Sequence, residues 1–462
     1  MKKTSFSTFI KNTGIFFLGN VLSKVIVFLL LPLYTHYIST ESYGYYDLSI
    51  SYITVLTSLV YFDIWATVLR FMYDAKDKKG KQNIASTCWV LFSISTVVFL
   101  VLGGVICAWK SVRYAPLILG YGLSVNLHNM CGFITRGWKK NIHFALSGIL
   151  NTVTMVSVNL VLILGFHVEI ESLYISAIAG NLIQMLYLCL VVHAYPHFRN
   201  FKLDKKLFSA ILRYTLPLCI NSVSYWLLTS YNRIVLEDIM GLSANGIYAV
   251  GNKFGAAISL VTTCFTYAWQ DLAFSRQTQR ADNSRFYAKA CSAYFAFLAA
   301  GLALMLPCFN LLFPVLIGEA YREAFDTIPL FLIMAMLSAY STFVGNIFYA
   351  IKDTKTIFLS MVLSCICNLI ICRLLIQLWG INGANLAICL SFLLNILLRY
   401  GVLYKKIRFR PHWLLKFTAC LLVGAAAVIY LYTGFLVNGL FFTVVLLCAA
   451  VIVYRKFRRN RT

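Results

Sequence analysis

The sequence consists of about fourteen apolar stretches that are separated by short polar gaps. Each stretch has about the ~20 residues that an α-helix, rising ~1.5 Å per residue, needs to cross ~30 Å of hydrocarbon. The ~10-residue alternating segments of a membrane β-barrel do not occur in the sequence. We therefore predict an all-α membrane protein with about 14 transmembrane helices. The stretches are 12–37, 43–70, 83–109, 113–137, 142–167, 170–193, 208–239, 245–272, 284–317, 326–351, 355–379, 381–404, 412–433 and 436–455.

The positive charges indicate the orientation of these helices. Most of the 40 Lys and Arg residues lie in alternate gaps, such as the gap at 71–82, whereas the next gap holds only Lys110 and Arg113. Because loops rich in Lys and Arg stay in the cytoplasm, both termini are predicted to be cytoplasmic. A nucleic-acid-binding protein would gather a net charge of +24 on one soluble face. Since the charge is spread over short loops, we expect contact with anionic lipids and no nucleic acid partner.

The loops and cysteines do not indicate catalysis. The longest loops lie near 71–82, 194–207 and 273–283, and they are too short to fold alone. A membrane glycosyltransferase or polymerase would be expected to carry acid/base residues on a sizeable outer loop. The cysteines lie mostly within the apolar stretches and lack metal-ligand spacing, and the sequence has no phosphate-binding loop. We therefore predict a protein that is not an enzyme and uses no cofactor or metal.

The two halves of the chain resemble each other. Asn20 has its counterpart in Asn221, after an offset of 201 residues. Ser147 has its counterpart in Ser360, after an offset of 213 residues. Because each repeat holds an even number of helices, the two repeats are predicted to be parallel. Parallel repeats of this kind place a site at their interface and work by rocking one bundle against the other, as transporters do.

This repeat predicts three parts of the chain. They are an N-terminal six-helix lobe at 1–200, a C-terminal six-helix lobe at 201–405, and two additional transmembrane helices with a basic tail at 406–462. A duplicated bundle with a structural role and a channel are the alternatives to a transporter.

Four cationic side chains lie inside the apolar stretches. Inserting a charged side chain at the centre of a membrane helix costs at least ~2.5–3.5 kcal/mol on insertion scales. Lys24 and Lys253 lie deep in the predicted helices, so each of them needs either access to water or a functional role. Arg373 lies near the outer headgroups, where its side chain can snorkel. Arg233 has Glu237 one turn away, so both a lumen ligand and a structural ion pair remain open.

Polar side chains accompany these cations at helical spacing. Asn20 and Lys24 share one face of the first helix, whose repeat partner is the seventh helix. Asp63 is predicted near the cytoplasmic end of the second helix, where Arg70 can neutralise it. Since deep carboxylates are scarce, the central cavity is predicted to be cationic and to bind an anion. The polar ladder on the seventh helix is formed by Asn221, Tyr225, Thr229 and Arg233.

Small residues flank the second deep lysine. Gly251 and Gly255 stand four residues apart, on either side of Lys253 in the sequence. This spacing lets two helices approach closely, so we expect a packing face there.

Three segments carry a resemblance to a known family. They are NTGIFFLGNVLSKVIVFLLLPLYTHYISTESYGYYDL (residues 12–48), GLSANGIYAVGNKFG (residues 241–255) and WGINGANLAICLSFLLN (residues 379–395). Through these segments the chain resembles the Wzx-type flippases of bacterial polysaccharide biosynthesis. These flippases belong to the multidrug/oligosaccharidyl-lipid/polysaccharide exporter superfamily. The likeness covers nearly the whole chain and consists of turn glycines and small residues.

The resemblance implies a flippase of the bacterial cytoplasmic (inner) membrane. Such a flippase moves an undecaprenyl-diphosphate-linked sugar repeat unit to the outer leaflet by alternating access, for O-antigen, capsule or a related surface glycan. The implied partners are this lipid-linked oligosaccharide, membrane lipids, and a polysaccharide polymerase with its assembly proteins. A multidrug exporter of the same superfamily is the alternative, disfavoured by lysine in place of a deep carboxylate.

The resemblance also assigns roles to the polar residues. Lys24 and Lys253 occupy positions where members of the family carry cations in the central lumen, and these cations would hold the diphosphate. The assignment of this role to Arg233 is weaker. The sugars would need polar and aromatic walls. The remaining candidate residues for the substrate site are Asn20, Asn221, Tyr225 and Thr229.

Overall fold

The structure, a computed structural model, describes residues 25–26, 28–75, 77–193, 204–275, 283–351, 353–410 and 412–459. All regular elements of these residues are helices, as predicted. The helices up to residue 192 are α1 (Leu31–Tyr37), α2 (Thr40–Tyr61), α3 (Ile64–Asp74), α4 (Lys78–Trp109), α5 (Ala115–Gly137), α6 (Asn141–Leu160), extended by a π-helical turn (Val161–Gly165), and α7 (Ile170–Val192). Those that follow are α8 (Lys205–Thr229), α9 (Tyr231–Ser275), α10 (Asn283–Leu316), a 3-10 helix (Glu319–Thr327), α11 (Ile328–Ala350), α12 (Thr354–Ile407), α13 (Trp413–Tyr432) and α14 (Phe435–Arg459).

The chain forms two compact units. The first unit is Met1–Trp226 and the second unit is Leu227–Thr462, so the division falls within α8. The predicted lobe boundaries at residues 200 and 405 remain a prediction.

The exposed surface of the helices is apolar. On α4, Val97, Val101 and Val105 lie one turn apart and are 62%, 58% and 62% exposed. A continuous apolar stripe of this kind is unfavourable in water, and lipid chains cover it without cost. The protein is therefore a multi-pass membrane protein. Eight helical segments of the described residues are long and apolar enough to cross a bilayer: Lys78–Trp109, Ala115–Gly137, Asn141–Gly165, Ile170–Val192, Ser284–Leu316, Glu319–Tyr349, Thr354–Ile407 and Trp413–Tyr432.

Polar side chains cap the starts of α2 and α4. Ser39 accepts a hydrogen bond from the Ser42 backbone N–H at 3.2 Å and so caps α2. Asp77 caps α4 by accepting from the Gly80 N–H at 3.2 Å. Each cap satisfies one of the donors that the first turn of a helix leaves open.

Three breaks interrupt the long helical runs. Gly241 (φ 85°) breaks α9 between the predicted stretches 208–239 and 245–272. Gly380 (φ 55°) breaks α12 between the stretches 355–379 and 381–404. Glycine adopts such angles without a steric penalty, so these two breaks agree with the sequence. The third break divides the predicted stretch 43–70 into α2 and α3, which the sequence analysis did not predict.

A buried network of polar side chains joins α5, α6 and α7 in the first unit. Asn181 donates to the Ser124 hydroxyl at 3.1 Å, and Gln184 donates to the Ser147 hydroxyl at 3.2 Å. Asn151 donates to the side-chain oxygens of Asn181 (2.9 Å) and Gln184 (3.0 Å). Inside a membrane protein such mutual satisfaction replaces the water that the groups lose.

The second unit repeats this arrangement between α11 and the two segments of α12. The Ser341 hydroxyl donates to Asn395 at 2.8 Å. Arg399, which is 3% exposed, donates from Nε to the Ser360 hydroxyl (3.0 Å) and from Nη1 to the Ser341 carbonyl oxygen (2.6 Å). Arg399 thus takes the place that Gln184 has in the first unit. The recurrence of this network is what a duplicated helical unit predicts.

The repeat yields a stability prediction for Arg399. Arg399→Leu removes the donors to Ser341 and Ser360 and leaves buried acceptors without a partner, at about 1–3 kcal/mol for each. Arg399→Gln keeps one donor, as Gln184 does in the first unit, and avoids burying a charge. We expect thermal unfolding of the detergent-solubilised protein to show a large loss for the leucine variant and a small one for the glutamine variant. Equal losses would show that the charge itself is required.

A second buried cation connects α13 to other helices of the second unit. Lys416 is 7% exposed and donates to the Tyr400 hydroxyl. Its Nζ lies 4.1 Å from the ring centroid of Tyr400, 5.2 Å from that of Tyr340, 5.5 Å from that of Trp413 and 5.9 Å from that of Phe295. Aromatic faces attract cations, so these rings stabilise the ammonium where a carboxylate would otherwise be needed.

Candidate functional site

The structure describes part of the predicted substrate site. Asn20 and Lys24 lie outside the described residues, and so does the side chain of Asn221. Tyr225 belongs to the first unit and is 46% exposed. Thr229 is half-buried and belongs to the second unit.

Arg233 lies against an aromatic ring of the second segment of α9, beyond the break at Gly241. Its guanidinium carbon is 5.3 Å from the ring centroid of Tyr248, and Nη1 donates to the Thr229 carbonyl oxygen at 3.3 Å. The side chain is 8% exposed. Tyr248 in turn packs edge-on against Phe331 of α11, with ring centroids 4.8 Å apart. Arg233 therefore contacts a ring and a carbonyl oxygen, and its ion pair with Glu237 remains a prediction.

Lys253 follows on the same helix and is half-buried. A Cβ at Gly251 would collide with the Phe331 ring and lie 2.7 Å from Thr327 Oγ1, and one at Gly255 would lie 3.0 Å from the Phe331 carbonyl oxygen. The predicted glycine packing face is therefore present, against α11. Because residues two apart on a helix are ~200° apart, Lys253 faces away from that contact. Lys253 lies ~7–8 Å along the helix axis from Tyr248. The ring of Tyr248 is the one that the Arg233 guanidinium contacts.

Next to Arg233, buried amides connect α9 with both segments of α12. Asn368 donates to Asn232 Oδ1 at 2.8 Å, and Asn232 donates to the Ala384 carbonyl oxygen at 2.7 Å. All three amides of Asn232, Asn368 and Asn385 are 0% exposed. The sequence analysis did not single them out, although Asn232 adjoins Arg233 and the other two lie within predicted stretches. The hydrogen bonds of Asn232 and Asn368 fix the position of the helix segment that carries Arg233.

The prediction of four intramembrane cations was incomplete. Arg399 and Lys416 are also buried, within the predicted stretches 381–404 and 412–433. Their positions inside apolar stretches were the signal that could have identified them. Arg373 lies near Asp238, with Nη1 2.9 Å from Oδ2, and both side chains are more than half exposed. This exposed ion pair agrees with a position near the headgroups.

The expectation for Asp63 was wrong. Arg70 pairs with Asp74, with Nη1 2.7 Å from Oδ1, rather than with Asp63. The carboxylate of Asp63 instead accepts a hydrogen bond from the Ser222 hydroxyl on α8. The physical reason is the break after Tyr61, which turns the chain and redirects the side chain towards α8.

The fold is shared with known transporters. The structure of lipid II flippase MurJ in an inward closed conformation matches with a TM-score of 0.74 at 14% identity, over 96% of this chain and 99% of that chain. A multidrug resistance MATE family transporter of the MOP superfamily matches in its inward-facing conformation with a TM-score of 0.66 at 12% identity, over 87% of this chain and 95% of that chain. A structure of a multidrug resistance MATE family transporter in an outward-facing conformation matches with a TM-score of 0.60 at 13% identity, over 90% of this chain and 95% of that chain. The chain thus shares its fold with these membrane transporters.

The sequence itself defines the family within this class. The family described as "Polysaccharide biosynthesis protein" matches residues 9–269 of the 462-residue chain. Because the match covers more than half of the chain, the protein belongs to this family. No curated protein matches the sequence. The helical transporter fold predicted from the sequence is confirmed, and the assignments to the exporter superfamily and to the Wzx-type flippases remain predictions.

Proposed function

We propose that the protein is a flippase that translocates undecaprenyl-diphosphate-linked oligosaccharide repeat units across the bacterial cytoplasmic membrane, for O-antigen, capsule or a related surface glycan. The observation that carries the proposal is a fold shared with a lipid II flippase along nearly the whole chain, in a member of the polysaccharide biosynthesis family. A diphosphate inside hydrocarbon needs cations, and deep lysines are what the sequence supplies.

The described part of the site supports an anionic headgroup. Arg233 and Lys253 lie on the two segments of α9, on either side of the break at Gly241, within the predicted stretches 208–239 and 245–272. Lys253 is the better candidate ligand, because it is half-buried and faces away from the contact with α11. Arg233 is largely covered by Tyr248, so it would set the local positive potential rather than hold the substrate by itself. Lys24, Asn20, Asn221, Tyr225 and Thr229 complete the proposed site, with alternating access between the two predicted lobes.

Reconstituted protein tests the proposal. Full-length protein in liposomes is given undecaprenyl-diphosphate-linked oligosaccharide, and a membrane-impermeant lectin measures the fraction exposed on the outer leaflet over time. We expect protein-dependent exchange of this lipid and much slower exchange of the same sugar on undecaprenyl monophosphate. Because the MATE transporters share the fold, a cationic dye serves as the competing substrate. Dye transport without lipid exchange would favour a multidrug exporter and contradict the proposal.

A further inference from the structure

Two cysteine side chains meet between α5 and α7, outside the proposed substrate site. The Sγ atoms of Cys131 and Cys189 lie 3.9 Å apart, so the two thiols are in contact. Both residues belong to the first unit. Cys131 is 0% exposed, whereas Cys189 is half-buried. The two thiols of this contact therefore differ in their access to solutes.

The register of α5 and α7 makes this contact a fixed part of their interface. Asn181 on α7 donates to the Ser124 hydroxyl on α5 at 3.1 Å. Cys131 follows Ser124 by seven residues and Cys189 follows Asn181 by eight, which is about two helical turns on each helix. The two contacts thus advance together along both helices, which places the thiols on the faces that α5 and α7 turn towards each other.

Other contacts hold the helices in place at this level. A Cβ at Gly132, next to Cys131, would lie 2.8 Å from the Phe144 ring of α6, so α5 and α6 pack closely. His143 Nδ1 on α6 lies 3.0 Å from the Tyr187 hydroxyl on α7. A disulfide has an S–S bond of ~2.05 Å, so the sulfurs must approach each other by roughly 1.9 Å. Because the neighbouring helices hold the backbones, rotation of the two side chains supplies this approach.

The thiol contact lies near the ends of α5 and α7 that are predicted to be cytoplasmic. Cys131 lies six residues, or ~9 Å, before the end of α5, and Cys189 lies three residues, or ~4.5 Å, before the end of α7. Lys139 and Lys140 follow α5 directly, and loops rich in such residues stay in the cytoplasm. The cytoplasm keeps thiols reduced, and disulfides that form there are usually transient and act in catalysis or redox sensing.

A disulfide fits two thiols in contact better than a metal site does. A structural zinc site takes four ligands. Among the residues that the structure describes, no group of three or more His, Cys, Asp or Glu side chains is arranged to hold a metal ion. An accessible cysteine beside a second, resolving cysteine is instead typical of redox sensors.

We propose that Cys189 and Cys131 form a reversible disulfide when a peroxide reaches the cytoplasmic side of the membrane. The Cys189 thiolate attacks one peroxide oxygen, and the O–O bond breaks. The hydroxide that leaves takes up the proton lost by Cys189, so a sulfenic acid and water form. The Cys131 sulfur then attacks the Cys189 sulfur, the S–S bond forms, the S–O bond breaks, and the hydroxide leaves as water with the Cys131 proton. The thiols are oxidised to the disulfide and the peroxide is reduced to water.

The unequal exposure assigns the two roles. A buried thiol is inert towards oxidants in solution, so Cys131 reacts only with the sulfur beside it. Its attack removes the Cys189 sulfenic acid before further oxidation to the sulfinic acid, which thiols do not reverse. Cys131 thereby protects Cys189, and exchange with a dithiol reductant returns the pair to the reduced state.

Differential alkylation tests the pair in the full-length protein. Reduced protein in lipid vesicles is exposed to hydrogen peroxide, alkylated and digested for mass spectrometry. We expect the wild type to yield peptides linked through Cys131 and Cys189, and dithiothreitol to separate them. Cys131→Ala should hold Cys189 as a sulfenic acid that dimedone traps, whereas Cys189→Ala should leave Cys131 unmodified. Cys372→Ala removes a buried thiol of the second unit and should form the link as the wild type does.

The outcomes separate a redox pair from ordinary packing. Two thiols that stay alkylatable after peroxide treatment of the wild type, or a link that forms only in denatured protein, would overturn the disulfide. Equal trapping of Cys189 sulfenic acid in the wild type and in Cys131→Ala would overturn the resolving role of Cys131. If Cys131→Ala fails to fold, the link in the wild type and its absence in Cys189→Ala still decide the question. The readout involves no transported lipid, so the result is independent of the flippase proposal.

Discussion

Charge reversal at Lys253 is expected to abolish translocation of the lipid-linked substrate. Lys253 is half-buried on α9 and faces away from the contact of Gly251 and Gly255 with α11. A glutamate there would replace attraction for the diphosphate by repulsion. Loss of a buried charge contact costs about 2–5 kcal/mol, so we expect a fall in the exchange rate of roughly thirtyfold or more. Lys24→Glu is expected to act in the same way, on the sequence argument alone.

The controls separate this effect from misfolding. Lys253→Arg keeps the charge and should retain most of the activity. Lys110→Glu reverses an exposed cation whose Nζ lies 4.8 Å from the Trp109 ring centroid and should leave exchange unchanged. Membrane insertion is checked by the amount of protein recovered from the membrane fraction. Normal surface glycan in cells that carry Lys253→Glu or Lys24→Glu would refute the diphosphate site.

A methyl group at Gly383 is expected to disrupt the second unit. Gly383 lies just after the break at Gly380, where α12 folds back on itself. A Cβ there would overlap the Leu375 carbonyl oxygen and lie 2.8 Å from the Ile376 nitrogen. Both atoms are backbone, so no side-chain rotation relieves the collision. We expect Gly383→Ala to exceed the ~1–3 kcal/mol that is typical of overpacking and to prevent recovery of monodisperse protein from detergent.

Gly401, on the same helix, provides the matched control. A Cβ at Gly401 would meet nothing within 4 Å. Gly401→Ala therefore adds no collision and gains up to ~1 kcal/mol of helix propensity. Gly401→Ala should be recovered as monodisperse protein with a melting temperature at or above that of the wild type. A Gly383→Ala variant as stable as the wild type would show that the two segments of α12 are not tightly packed against each other near Gly383.

The length and polarity of the stretches were sufficient to predict the helical fold. Hydrocarbon thickness sets a minimum length for each span, and glycine marks the breaks at Gly241 and Gly380, so both features can be read from the sequence. The break at Phe62 and Asp63 could not be predicted, because no glycine marks it and phenylalanine disfavours the left-handed region. As a result, the partner of Asp63 was also misjudged.

The candidate site was predictable only in part. Lys253 and Arg233 could be identified because a charge in an apolar stretch is conspicuous. The contact of Arg233 with Tyr248 depends on how α9 bends at Gly241, which spacing does not define. The burial of Arg399 and Lys416 likewise depends on serine hydroxyls and aromatic rings from other helices. Helical periodicity identifies residues on one helix face, whereas these partners come from elsewhere in the chain.

The most direct measurement of the central claim is the leaflet in which the lipid-linked repeat unit accumulates when the protein is absent. The gene is deleted in its host, and a membrane-impermeant probe is applied to spheroplasts with synthesis of the repeat unit intact. The flippase account predicts accumulation on the cytoplasmic face, out of reach of the probe, and restoration of labelling by the wild-type gene but not by Lys253→Glu. Unchanged labelling and glycan export in the deletion strain, accompanied by altered drug sensitivity, would contradict the account and indicate a multidrug exporter.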